Sequence, residues 1–337
     1  VGRIAGFDLV PSTMPAGALP APRPEGDAGY GDEMLARRTL AAAGLQEAIT
    51  YSLVDPSLSE EMVVEPSEQA QAPLRVANPQ SVEQSILRPS LVGSLLGALR
   101  SNLRQRERVL LFELARTWHG SAGASPQERR HVGIAMVGPR YARHWSAPDT
   151  ALDFFDAKRV VDALCGAFHV HPTYAPERHP SLQPGRTAEV CVDGQRLGVV
   201  GQLHPTIAER FDLGTGAVLV AELDFERLVQ ARQPLLNART PSRFPPSDRD
   251  VSFFVDESVA HAEIESAIRE AAGDLLERVE LFDVFRGPGV PAGRQSLAFS
   301  LRYRASDRTL ADDEVNSVHA RVEQALQRRF GADVRGR

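Results

Sequence analysis

Between Arg249 and Phe330 the spacing of the apolar residues switches repeatedly between two and about three and a half, in an order that few folds satisfy. Val251, Phe253 and Val255 alternate with polar neighbours, which predicts a strand over Arg249 to Asp256. Helical spacing follows over Val259 to Ala272. Alternation returns over Glu277 to Phe285 and over Arg294 to Arg304, two strands joined by a Gly-Pro-Gly loop. A second helix is predicted from Leu310 to Phe330. Thr309 and Asp312 stand at capping-box spacing at its start, Gly331 stands at its end, and a short strand comes after it. The resulting order, βαββαβ, is that of the ferredoxin-like split βαβ.

In that fold both helices cover one face of the sheet, so alternation sorts the strand residues. Val251, Phe253 and Val255, then Val279, Leu281 and Phe285, then Leu297, Phe299, Leu301 and Tyr303 are expected beneath the helices. Ile264, Ile268, Val315, Val318, Val322 and Leu326 are expected to meet them. The opposite face is left with Ser252, Phe254, Glu280, Phe282, Arg294, Ser296, Ser300, Arg302 and Arg304. Guanidinium groups, hydroxyls and two aromatic rings suit single-stranded RNA, whose bases stack on planar groups and whose backbone requires cations. Phe254, Phe282, Arg294, Ser296, Ser300, Arg302 and Arg304 are therefore the candidate RNA-binding residues. A solvated face, or a face that docks another domain, fits the same pattern.

The preceding 200 or so residues are longer than that module needs, and their elements are mixed. Residues 11–26, rich in Pro, Ala and Gly, read as an extended linker. A domain is expected over 27–235. It has a helix over Asp32 to Ala43, with Leu35, Thr39 and Ala42 or Ala43 on one face, and a strand over Glu47 to Val54, with Ile49, Tyr51 and Leu53 on one side. A helix over Ser90 to Arg104 leads into a strand over Val109 to Trp118, and another helix spans Asp153 to Phe168. Asp193-Gly194 lies between alternating segments as a two-residue hairpin turn, and Ala217 to Asp224 forms a last strand. Hairpins mixed with helices predict an antiparallel sheet flanked by helices, so the chain as a whole is α+β. A second linker, Gln233 to Pro246, separates this domain from the ferredoxin-like module over 242–337.

Several function classes are excluded on composition. The formal charge of −6 rules out a bulk polycation, so any nucleic-acid site is a local patch. Lys158 is the only lysine, and the remaining cations are arginine, which gives planar, bidentate contacts. Cys165 and Cys191 lie far apart and match no zinc pattern, which points to a reducing, cytoplasmic setting, and the nine histidines fall at no ligand spacing. No metal site is expected. No apolar run is long enough to span a bilayer. The chain opens on Val1 without signal-peptide character and is expected to continue a longer reading frame.

The motifs in the C-terminal module resemble those of a known family. Ser242-Arg-Phe-Pro-Pro-Ser-Asp-Arg-Asp-Val-Ser-Phe-Phe-Val-Asp256 resembles the opening of the ferredoxin-fold anticodon-binding domain that ends the β subunits of bacterial phenylalanine–tRNA ligases. Leu281-Phe-Asp-Val-Phe-Arg-Gly287, Arg294-Gln-Ser-Leu-Ala-Phe299 and Asp307-Arg-Thr-Leu310 are similar to later parts of that domain. Val1-Gly-Arg-Ile-Ala-Gly-Phe-Asp8 resembles the end of the family's B5 domain. Gln46 to Ser52, Asn78-Pro79 with Leu87 to Leu91, Leu111 to Arg116, and Gly198 to Pro205 resemble its catalytic-like module.

The resemblance implies that residues 27–235 form a degenerate class II synthetase-like module. It implies partners too: an α subunit, in a tetramer of two α and two β subunits, and tRNA-Phe. The whole enzyme would use ATP and Mg2+, with the family's magnesium-associated acidic residues lying upstream of Val1. A working class II site carries a G-x-G-x-x-R segment where bare backbone lies against the nucleotide. If Arg227 marks that register, Glu222 and Asp224 stand at the glycine positions. No catalytic residue is therefore expected in this chain, and Arg88, Pro89 and His204 are expected to serve the fold. The alternative is a stand-alone RNA-binding or scaffold protein derived from such a subunit.

Overall fold

The computed structural model describes all residues except 1, 10, 12, 14–16, 18–23, 59–61, 63–72, 121–124, 147, 215, 234–241 and 335–337. Most of the two expected linkers lies outside the described residues. The chain forms two compact units, Val1–Leu236 and Asn237–Arg337.

The first unit is built on a seven-stranded sheet. In chain order its strands are β1 (Gln46–Glu47), β4 (Val109–His119), β5 (Gln127–Val137), β6 (Thr173–Pro176), β7 (Leu182–Val192), β8 (Gln195–Leu203) and β9 (Val218–Asp224). Their spatial order is β1-β4-β5-β9-β8-β7-β6, antiparallel except for β1, which runs parallel to β4. β2 (Leu53–Val54) and β3 (Ile86–Leu87) make a separate two-stranded ribbon. Asp193 and Gly194 both have positive φ, 49° and 74°, the backbone of the tight hairpin that the sequence implied.

Helices pack on both faces of this sheet, and strand alternation shows which side each strand residue faces. Leu110, Phe112 and Leu114 lie in one core with residues of α1 (Pro24–Ala42), α3 (Phe154–Ala167) and α5 (Phe225–Gln230). Val109 and Leu111 lie in the other core with α2 (Val92–Leu103) and α4 (Pro205–Arg210). β5 was not recognised in the sequence, because only its second half, Val132 to Val137, is apolar and its first half is charged. The alternation of Val132, Ile134 and Met136 was the available signal.

Two expectations in this unit are corrected. α1 begins at Pro24, inside the expected linker, and buries Ala36 and Leu40 rather than Thr39. The Thr39 hydroxyl instead donates back to the Leu35 carbonyl at 2.8 Å. The expected strand from Glu47 to Val54 is broken into β1 and β2, and Ile49 and Tyr51 are 92% and 78% exposed.

The break has an electrostatic cause. Arg88 and Glu113 form a buried ion pair at 3.0 Å. The Thr50 hydroxyl donates to Glu113 Oε2 at 2.7 Å, the Thr50 amide donates to Oε1 at 3.1 Å, and Arg88 Nη1 lies 2.7 Å from the Thr50 hydroxyl. Arg88 Nε also donates to the Arg116 carbonyl at 3.0 Å. Thr50 is thus drawn inward, and alternation turns both of its neighbours outward.

The second unit has the expected βαββαβ order: β10 (Ser247–Asp256), α6 (His261–Ala272), β11 (Leu276–Phe285), β12 (Arg294–Tyr303), α7 (Asp312–Phe330) and β13 (Asp333–Val334). The sheet order is β11-β12-β10-β13. Val251, Phe253, Val255, Leu297, Phe299, Leu301 and Tyr303 join Ile264, Ile268, Val315, Val318, Val322 and Leu326 in one core, as predicted. Gly331 ends α7 in the left-handed conformation, φ 59°.

The capping box expected at Thr309 does not form: Ala311 is the N-cap, and the Asp312 carboxylate is drawn to Arg249 at 3.0 Å. Phe285 is also reassigned. A register shift between Leu281 and Asp283 leaves Phe282 unpaired, so Phe285 lies opposite Ser296 on the face away from the helices.

Removing one partner of a buried ion pair leaves the other charge uncompensated, at a cost of about 3–5 kcal/mol. Arg88→Met is accordingly expected to destabilise the first unit by that amount, measured by urea denaturation. A double Arg88→Met/Glu113→Gln variant is expected to recover part of the loss.

Candidate functional site

The face of the small sheet away from its helices follows from the strand register. Its rungs join Asp248, Arg302 and Arg278; Asp250, Ser300 and Glu280; Ser252, Ala298 and Asp283; Phe254, Ser296 and Phe285; and Asp256 with Arg294. Arg302 and Ser300 are therefore brought together with Arg278, while the aromatic residues lie at the far end. At about 3.3 Å per residue, the six steps from Ser296 to Arg302 span about 20 Å.

Each expected cation on this face has a partner. Arg302 Nε and Nη2 grip the Asp248 carboxylate at 2.8 and 3.1 Å, which holds that carboxyl below its ordinary range. Arg294 Nη2 donates to the Gly331 carbonyl at 2.8 Å. Arg304 Nε lies 3.3 Å from Glu277, and Arg278 pairs with Glu280 at 2.7 Å. The Arg302 and Arg278 pairs are exposed, and such pairs contribute about 0–1 kcal/mol, so a phosphate can displace those carboxylates at little cost.

Phe254 and Ser296 lie on the expected face but are 9% and 7% exposed, flanked on one side by β13 and on the other by Phe285. Neither offers a surface for stacking. Phe282 and Phe285 are half exposed and do. Sequence alternation alone could not find Phe285, because the bulge reverses the parity of β11.

The first unit carries a cleft on the α2 side of its sheet, lined by His119, Arg129, His131, Glu222, Asp224 and Arg227 among others. Gly133 and Glu222 are cross-strand partners. A Cβ on Gly133 would lie 2.8 Å from Leu91, so the start of α2 rests directly on bare backbone there. Glu222 then reaches that helix start: Oε1 accepts from the Leu91 amide at 2.7 Å and Oε2 accepts from the Ser90 hydroxyl at 2.8 Å. A carboxylate at a helix N-terminus also meets the positive end of the helix dipole.

Asp224 caps α5 by accepting from the Arg227 amide at 3.0 Å, and its other oxygen lies 3.5 Å from Arg129. The buried Thr117 hydroxyl bridges His119 Nε2 at 3.2 Å and His131 Nδ1 at 2.9 Å. Burial first, then the neighbouring His131, hold the His119 imidazole below its ordinary value. If Arg227 marks the register of a nucleotide-binding segment, both of its glycine positions hold side chains already used by the fold, and Glu222 and Asp224 there do not fit ATP. His204 caps α4 through its ring Nδ1, 3.3 Å from the Thr206 amide, a folding role as expected.

The first unit is a large helix-flanked sheet and the second a ferredoxin-fold module, and comparison with known proteins identifies the family. The family described as "Phenylalanyl tRNA synthetase beta chain CLM domain" matches residues 10–225, and the "Ferredoxin-fold anticodon binding domain" matches residues 242–335. The chain belongs to the phenylalanyl-tRNA synthetase beta chain family. It is 41% identical over 340 residues to a phenylalanine–tRNA ligase beta subunit of Symbiobacterium thermophilum, covering 99% of this chain and 37% of that protein. It is 38% identical over 341 residues to the subunit of Geobacillus kaustophilus, covering 100% and 41%. The chain thus spans about two fifths of the length of these relatives.

Glu222→Ala would leave the buried Leu91 amide unsatisfied, which costs about 1–3 kcal/mol. The expected result is a lower melting temperature by calorimetry, with the secondary structure unchanged by circular dichroism.

Proposed function

We propose that this chain is the tRNA-binding and assembly portion of a phenylalanine–tRNA ligase β subunit, and that adenylate formation belongs to the α subunit. The observation that carries this reading is the pairing of the two family modules, in order, and in the cleft of the first unit Glu222 and Asp224 are committed to holding helix starts. The ATP and Mg2+ of the whole enzyme then act on α and on β residues outside this chain. Such an enzyme works in the cytoplasm. No helix among the described residues is long and apolar enough to cross a membrane, which is compatible with that setting.

RNA meets the small sheet on the face away from its helices. Arg302 and Arg304 supply charge at one end, Ser300 lies beside them, and Phe282 and Phe285 supply stacking surface. Arg294 braces the end of α7 through Gly331. The α subunit docks on the edge of the large sheet where Ile49 and Tyr51 project, held there by Thr50 and the ion pair beneath.

A folded Arg302→Gln/Arg304→Gln variant is expected to bind tRNA-Phe several-fold more weakly. Its dependence on salt should be shallower by about 0.7 for each phosphate that is no longer neutralised. Unchanged affinity and slope would refute the face assignment. An Ile49→Asp/Tyr51→Asp variant is expected to elute as a free chain on gel filtration with α, whereas the parent chain forms a complex. Failure of the parent chain to form any complex would favour the stand-alone RNA-binding alternative.

A further inference from the structure

Where β4 begins and β5 ends, one end of the large sheet carries several arginines without an ion pair among the described residues. Arg100 and Arg104 lie at the end of α2, and Arg106 and Arg108 lie in the turn into β4. All four are exposed. Arg106 reaches only the amide oxygen of Gln46, and Arg108 only the Pro139 carbonyl, at 3.1 Å. None of them forms an ion pair among the described residues. On the small sheet, by contrast, Arg278, Arg302 and Arg304 are each paired with a carboxylate.

An aromatic loop abuts this turn. Gly138, at φ +108°, lies so close that an added Cβ would be 2.2 Å from the Glu107 carbonyl oxygen. The loop that follows runs from Pro139 to Ala151 and is closed at its base by a bridge between those residues. Arg140 fixes it further, to Asp153 at 2.7 Å and to Asp156 at 3.0 Å. Beyond that anchor, Tyr141 is 57% exposed and Trp145 is 91% exposed. Arg143 is exposed between them without an ion pair among the described residues, and the His144 ring lies 5.5 Å from the indole. Five unpaired arginines thus share this end with the exposed acids Glu107 and Asp149, in a chain whose net charge is −6.

A loop braced at its base that presents an indole and a phenol to solvent loses little entropy when a base stacks on them. Unpaired arginines beside it supply the backbone contacts. We propose that this end of the large sheet, Arg100, Arg104, Arg106 and Arg143 with Tyr141 and Trp145, is a second RNA-binding surface that takes a phosphate backbone with an unpaired base. The proposal rests on the reading of this chain as a tRNA-binding subunit only in its choice of RNA.

The test titrates labelled tRNA-Phe transcript with the full chain between about 50 and 200 mM salt. An Arg100→Gln/Arg104→Gln/Arg106→Gln/Arg143→Gln variant is expected to bind at least about tenfold more weakly at the lower salt, with a slope shallower by about 2–3. Trp145→Ala is expected to bind about five- to a hundredfold more weakly with the slope unchanged, because stacking releases no counterions. Every substituted side chain is exposed, so melting temperatures should match the parent. Parental affinity and slope in these variants overturn the proposal. If they keep tRNA affinity but lose affinity for the α subunit, the surface is a protein-docking site and the proposal falls. If only the Arg302→Gln/Arg304→Gln variant loses RNA, this surface is refuted while the anticodon-domain reading stands. If the parent chain binds no tRNA, both fall.

Discussion

The first unit is organised around a pair of charges taken out of water. Arg88 and Glu113 are both buried, and burying two ions costs several kcal/mol each unless their remaining donors and acceptors are satisfied. Here they are, by Thr50 and by the Arg116 carbonyl. The same bonds tie β3 and the β1–β2 segment to β4, which are remote in sequence. They also decide what the edge of the sheet presents: with Thr50 held inward, Ile49 and Tyr51 project into solvent. The exposed pair on the sheet edge and the buried polar network are therefore one construction.

A second carboxylate acts in a similar way two strands along. Glu222 is the cross-strand partner of Gly133, and that glycine lets the start of α2 rest on the sheet within reach of the Glu222 carboxylate. Glu222 and Asp224 hold a helix start and cap α5. The polar groups at these positions are used for the sheet's own stability.

Charge is distributed just as unevenly. On the small sheet Arg302 pairs with Asp248, Arg278 with Glu280 and Arg304 with Glu277, while Arg294 donates to the Gly331 carbonyl. At one end of the large sheet the arginines have no such competition among the described residues. A net charge of −6 conceals both arrangements, because pairing is decided by position and a sum over residues carries none.

Sequence by itself determined the elements whose evidence is local. Alternation located β10 and β12, helical spacing located α6 and α7, Asp193-Gly194 located a hairpin, and motif order placed the chain in its family. These succeed because hydrophobic period and turn chemistry act over a few residues. Tertiary structure alone decided the rest. One unpaired residue at Phe282 reversed the parity of β11 and moved Phe285 to the open face, while Phe254, on the correct face, became buried. The charged start of β5 and the broken strand around Thr50 depend on partners tens of residues away. A period cannot report a bulge before the neighbouring strand is in place, nor an ion pair before the fold brings Arg88 to Glu113.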